Sequence, residues 1–274
     1  MSLVWAGLIV LLVAAVTIAA MLAARRRAPE GSHFQDGDRA AGVFGVLATG
    51  FAVLLGFVVF LSFQSYDTSR SGAEAEAQVV SQQFETAQTF PAAARAPLSD
   101  DLICYARTVV YGEWPQMRSG SGADLINPWS IEMFRTLRTV EPGTAAQQAA
   151  YSKWLDQRTD RQSARSDRTH GAEGVIPAPL WIVLFLSAIV IFAFMLLFAD
   201  SGEHPVVQAA MMGGIAVVIT STFLLLWFLD NPYHSGVGAL PPTAMKRTLA
   251  ILDQEAKLVG LRFDGRCDAH GVAR

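Results

Sequence analysis

Two cysteines, five histidines and 24 acidic side chains supply the chemistry of this 274-residue chain, and their spacing leaves little of it for catalysis. The histidines stand at 33, 170, 204, 234 and 270, never four apart with a glutamate between, and the cysteines make no C-x-x-C pair, so no metal site is expected. There is no G-x-S-x-G elbow and no P-loop; Gly120-Ser121-Gly122 follows no strand and reads as a flexible loop. Glu113, Asp100 and Asp101 are the carboxylates left for an enzyme, and they read as capping and surface acids. The expectation is a protein that is no enzyme and needs no cofactor. Cys104 and Cys267 can pair if their compartment is oxidising, but the reading the residues favour has Cys104 packed in a helix and Cys267 free in a frayed tail.

The elements that must carry these residues belong largely to a membrane. Hydrophobic residues make up 52% of the chain, more than a soluble globular domain carries. The excess sits in four stretches, 3–22, 43–63, 180–198 and 206–229, none with an ionisable side chain. Each is near the roughly 20 residues with which a helix crosses a bilayer. We therefore expect an all-α membrane protein with four transmembrane helices as two hairpins and a soluble helical domain inserted between spans 2 and 3. Its parts are 1–63, the first hairpin; 64–179, the insert; 180–229, the second hairpin; and 230–274, a turn, an amphipathic helix and a loose tail. A net charge of −3 gives no basic surface for nucleic acid. With no carboxylate or histidine inside the spans, proton relays and ion-coupled carriers are excluded. Passive conduction through a neutral or apolar constriction is left, and four spans would need an oligomer to build it. Abundant alanine, and arginine in preference to lysine, suggest a bacterial cell membrane as the setting.

Arg25, Arg26 and Arg27 directly follow the first span and act as a topology anchor, which assigns loop 23–42 to the cytoplasm. The N-terminus, the insert and the C-terminal tail are then expected outside.

The insert reads as helices throughout. Tyr66 to Phe90 carries an apolar stripe of Val79, Val80, Phe84 and Ala87 that Pro91 ends, and no turn signal separates it from span 2. Ser99-Asp100-Asp101 offers an N-cap for a second helix, and Asn127-Pro128 starts a third with Ile131, Phe134, Leu137 and Val140. Thr144 caps a fourth through Tyr151, Trp154 and Leu155. In the tail, a short amphipathic helix is expected from Thr243 to Val259.

The membrane spans hold the sharper pattern. Gly45, Thr49, Ala52 and Gly56 share one face of span 2, with Ala41 and Ala48, while phenylalanines occupy other directions. Span 4 has a matching face in Gly213, Ala216 and Thr220, with Ala209. Small residues let helices approach closely, so these faces either pack on each other within one subunit or line a pore or subunit interface.

A span closing on Arg25-Arg26, a Gly-rich second span leading into Gln64-Ser65-Tyr66-Asp67, then Tyr105-Ala106-Arg107, Glu113-Trp114-Pro115 and Asp230-Asn231-Pro232-Tyr233 with Ser235-Gly236, follow one another in this order. That order resembles the bacterial bestrophin-like family of four-span proteins, over about residues 1–240. The resemblance implies a distant likeness to bestrophins, pentameric anion channels whose second span lines the pore and forms an apolar neck. It would aim Thr49, Ala52 and Gly56 at an axis, with Phe51, Phe57 and Phe60 as the neck, and would make small anions the partners of a homo-oligomer. Two departures stand out. Bestrophins keep their helical domain in the cytoplasm, whereas the arginines here put 64–179 outside; and Asp253, Glu255 and Asp264 are too scattered for a calcium clasp. The competing reading is a membrane-anchored interaction or sensor module acting through the insert, with Trp114 and Trp154 exposed for a partner.

Overall fold

The computed structural model describes residues 3–30, 33–120, 126–261, 263 and 265–274. Ser121, Gly122 and Asp264, named above, lie outside the described residues, as do Met1 and Ser2. Among the described residues, four helices are long and apolar enough to cross a membrane: α1 (Leu3–Arg25), α2 (Gly37–Ala87), α7 (Ala178–Leu197) and α8 (Pro205–Asp230). A helix suits these uncharged runs because hydrocarbon offers no other partner for backbone N–H and C=O groups. The chain divides into two compact units, Met1–Gln64 with Val175–Asp230 and Ser235–Gly238, and Ser65–Gly174 with Asn231–His234 and Ala239–Arg274.

The first unit is the membrane bundle. Its core joins Met21 of α1, Phe51, Leu55 and Val58 of α2, Leu184 and Ile191 of α7, and Met212 and Leu226 of α8. Gly213 is what lets α1 lie close on α8, since a Cβ there would meet Ile18 Cδ1 at 2.9 Å. Arg25 closes the end of this bundle: its guanidinium donates to Ser201 O (2.9 Å) and Glu203 O (2.5 Å), tying the end of α1 to the loop between α7 and α8. His33 N donates to Leu197 O and Ser201 N to Pro29 O, so the two hairpin loops sit together. At the other end, Asp230 Oδ1 accepts from Val175 N (2.6 Å) and Ile176 N (2.9 Å), tying the end of α8 to the segment that leads into α7.

The second unit is helical throughout its named elements: the end of α2, α3 (Ala92–Thr108), a π-turn (Val109–Glu113), α4 (Trp114–Arg118), α5 (Pro128–Leu137), α6 (Ala145–His170) and α9 (Thr243–Leu258). Asn127 Oδ1 accepts from Trp129 N and Thr144 Oγ1 from Gln147 N, the two caps expected from the sequence. Two expectations need correction. The second helix of the insert begins at Ala92, not at Ser99, because the Ala-rich run before Pro97 is itself a strong helix former; Ser99, Asp100 and Asp101 are buried inside it. On α5 the buried residues are Trp129, Met133 and Leu137, while Ile131 and Phe134 face out.

The tail is not loose. Cys267 is bonded to Cys104, and residues 266–274 fold back on themselves through Asp268 N to Val272 O and Arg274 N to Arg266 O. The preferred reading of a free Cys267 is overturned: the Arg107 side chain donates to Asp268 O and the Trp129 indole to Gly271 O, which seats the thiol beside Cys104.

Candidate functional site

The small-residue face of α2 is bare. Gly45, Thr49, Ala52 and Gly56 are all exposed, and a Cβ added at Gly45 or Gly56 would meet nothing within 4 Å. Phe60, four residues beyond Gly56, prolongs this side and is 61% exposed; Phe57 is 60% exposed. Phe51 parts from them, buried with its ring centroid 6.4 Å from that of Phe223. On α8, Gly213 and Ala216 are covered, Gly213 by Ile18 of α1, while Thr220 lines an apolar groove of about 450 Å³ with Trp181, Phe185, Phe223 and Trp227. Among the described residues the two small-residue faces thus do not pack on each other: Ile18 of α1 lies on Gly213, and nothing lies on Gly45 or Gly56.

The second arrangement is a charge cluster in the core of the insert. Along α6 the buried residues Ala150, Trp154, Gln157, Arg161, Ala164 and Arg168 recur at steps of three and four, one seam of a helix. Gly72 of α2 receives this seam, since a Cβ there would collide with Arg168 N and Ala164 O. Arg168 bonds the Glu76 carboxylate and donates to Glu113 Oε2 at 2.6 Å, while Arg165 Nη1 lies 2.6 Å from both Glu113 oxygens. Asn127 Nδ2 adds a third donor to Glu113 at 2.9 Å, and the Tyr105 hydroxyl donates to Glu76. Arg161 donates to Gln83 Oε1 at 2.7 Å and lies over the Tyr105 ring. The π-turn delivers Glu113 to this point by widening the helix just before it.

Burial by itself would raise the Glu113 carboxyl, but Arg168 and Arg165 outweigh it and hold it below the usual range. Burial likewise works to lower Arg168, and Glu76 and Glu113 more than reverse that. Burial lowers Arg161, which Tyr105 and Glu76 offset only in part. The Tyr105 hydroxyl is pushed up by burial and by Glu76, so it stays a donor. The arrangement fixes charge in place.

Most of the singled-out motif residues find their reason here. Tyr105 and Glu113 belong to the cluster; the Trp114 indole donates to Leu240 O and stacks edgewise on Tyr233, whose hydroxyl donates to Arg168 O. Arg107 holds the tail, and Pro232 packs under Gly171. Pro115 and Gly236 are exposed. Asp230 lies in the membrane bundle. Trp114 and Trp154 are buried, not exposed, their large apolar rings packed in the core of the insert, with the Trp154 ring 5.7 Å from that of Phe90. Arg161, Arg165 and Arg168 are not among the residues singled out from the sequence; their i, i+4, i+7 spacing is the signal that places them on one helix face.

Four membrane-length helices and a helical insert built on a buried ion cluster define a polytopic α-helical membrane protein. A family model for the bestrophin-like domain matches residues 10–245, and the chain belongs to the bestrophin-like family. A bacterial bestrophin homologue from Klebsiella pneumoniae is 16% identical, with a TM-score of 0.62 over 95% of this chain and 100% of that one. Two single-substitution variants of that homologue give TM-scores of 0.67, one at 13% identity over 89% of this chain and 98% of that one, the other at 14% over 93% and 98%. At such identities the likeness is one of fold. No curated protein matches the chain.

Proposed function

We propose that this chain is one subunit of a homo-oligomeric channel for small anions, in which α2 lines the conduit. The observation that carries the reading is the bare side of α2: Gly45, Thr49, Ala52 and Gly56 are small, uncharged and exposed, whereas Gly213 of α8 is covered by Ile18 of α1. A single chain leaves a smooth helix face toward lipid with nothing to gain from it; copies arranged around an axis would share it. Phe57 and Phe60 are the exposed aromatics suited to an apolar constriction, and Phe51, packed on Phe223, supports them from within. The interaction-module alternative loses the exposed aromatics it counted on, since Trp114 and Trp154 are core residues, and keeps the size of the insert as its motive.

The same reading puts the N-terminus, the insert and the C-terminus outside. Arg25, Arg26 and Arg27 support it, and so does the pair Cys104–Cys267, because disulfides persist in oxidising compartments and are rare in the cytosol.

The test is to purify the protein in detergent, measure the mass of the particle, and follow anion flux from liposomes. An oligomer with flux is expected; a monodisperse monomer without flux overturns the proposal.

A further inference from the structure

We propose that Cys104 and Cys267 form a thiol–disulfide exchange site, closed by a disulfide-bearing oxidoreductase of the outer compartment, that locks the C-terminal tail onto α3 after the rest of the insert has folded. The proposal rests on the outside location of the insert given above.

The tail is shaped to deliver its thiol. Asp268 N to Val272 O and Arg274 N to Arg266 O close a small backbone loop, and Asp268 Oδ1 accepts from His270 N and Val272 N within it. A seat is also built for it on α3 and α5. Arg266 Nη1 meets Asp101 at 2.6 Å, Arg107 Nη1 donates to Asp268 O at 3.2 Å, and Gly271 O accepts from both the Trp129 indole (2.8 Å) and Thr108 Oγ1 (3.0 Å). Gly271, at φ +84°, has no room for a side chain, since a Cβ would run into Thr108 and lie 2.9 Å from Cys104 O. This seating brings the two cysteine Cα atoms to 5.8 Å, within the span a disulfide bridges.

The order of the step follows from the fold. Cys104 lies inside α3, while Cys267 comes 163 residues later, beyond the fourth membrane helix, and reaches α3 only when the tail arrives. The Cys267 thiolate attacks the oxidant's disulfide and releases one of its sulfurs as thiolate. The Cys104 thiolate then attacks Cys267 Sγ in the mixed disulfide and expels the oxidant's second thiolate. The two cysteines give up two electrons and two protons, and the oxidant's disulfide becomes a dithiol. Once closed, both sulfurs are buried and shielded from further exchange. The lock bears directly on the ion cluster, because Tyr105, next to Cys104, holds Glu76.

The experiment uses the full-length protein in its own membrane. Thiols are trapped by acid quench, and the denatured chain is labelled with a mass-tagged maleimide with and without prior reduction; two tags are expected only after reduction. In parallel, Cys104→Ser is expected to accumulate a reducible adduct on Cys267, and Cys267→Ser much less of one. Separately, Ser119→Cys in a Cys104→Ser/Cys267→Ser background is probed with a membrane-impermeant maleimide to report the side of the insert. Two tags without reduction, with Ser119→Cys labelled from outside, sink the lock and leave the topology standing. Two tags without reduction and a protected Ser119→Cys sink both. An oxidised pair whose Cys104→Ser variant carries no adduct overturns the exchange with an oxidoreductase.

Discussion

Arg168 Nη2 donates to Glu113 Oε2 across 2.6 Å, and both residues are withdrawn from water although 55 positions separate them. This bond ties α6 to the π-turn, and with Glu76 on α2 it makes Arg168 the hub of the insert. A buried pair adds little net stability over apolar residues of equal volume, yet removing one partner strands the other. Glu113→Gln or Arg168→Met should therefore cost about 3–5 kcal/mol. Glu132→Gln, which breaks the exposed pair with Arg135, should cost less than about 1 kcal/mol. Thermal unfolding of the detergent-solubilised variants checks both; equal, small losses would show that the cluster is solvated in solution.

Asp101 gives the insert a pH dependence. Burial raises its carboxyl to about 6, with Arg266 pulling the other way, from 3.8 in the unfolded chain. Between those values the folded state holds a proton that the unfolded state has released, so the contribution of this group to stability falls as pH rises from about 4 to about 6. A shift of this size corresponds to something on the order of 3 kcal/mol. Asp101→Asn should flatten that slope, so that the variant gains on the parent protein between pH 4 and pH 7. Denaturant titrations at three pH values measure it; parallel curves would mean that Asp101 is not buried as a carboxylate.

The tail can be unseated without touching its sulfurs. Gly271→Ala places a methyl group against Thr108 at a backbone angle L residues avoid, and should cost about 1–3 kcal/mol. Gly260→Ala, also at positive φ but facing open space, meets the strain without the collision. Hydrogen exchange across 266–274 should quicken in the first variant and stay near the parent rate in the second.

Much of this was legible in the sequence, and the losses have physical causes. Uncharged runs of membrane length announce α1, α2, α7 and α8, because few other structures bury so much apolar side chain with its backbone satisfied. Asn127 and Thr144 announce their helices, because capping is a local event. The ion cluster was hidden because its members come from α2, the π-turn and α6, and a charge that is solvated looks the same in a sequence as a charge that is paired. Glu113 read as a surface acid for want of its partners. Cys267 read as free because its neighbours carry no periodic pattern, and the seat that holds it lies on α3 and α5.

The proposed conduit is tested by two glycines that a sequence treats alike. Gly56 has open space where its side chain would be, and Gly213 has Ile18. Gly213→Leu should overpack the contact between α1 and α8 and cost about 1–3 kcal/mol, seen as poorer thermal stability of the purified protein. Gly56→Leu should leave the fold of the single chain intact, since nothing in it is displaced. If copies share that side of α2, the added volume should shift the particle's mass or cut anion flux by at least about tenfold, a difference of about 1.4 kcal/mol in the passage or assembly step. Size-exclusion chromatography with light scattering and liposome flux separate those two effects. A Gly56→Leu protein with parental mass and flux would take α2 off the conduit.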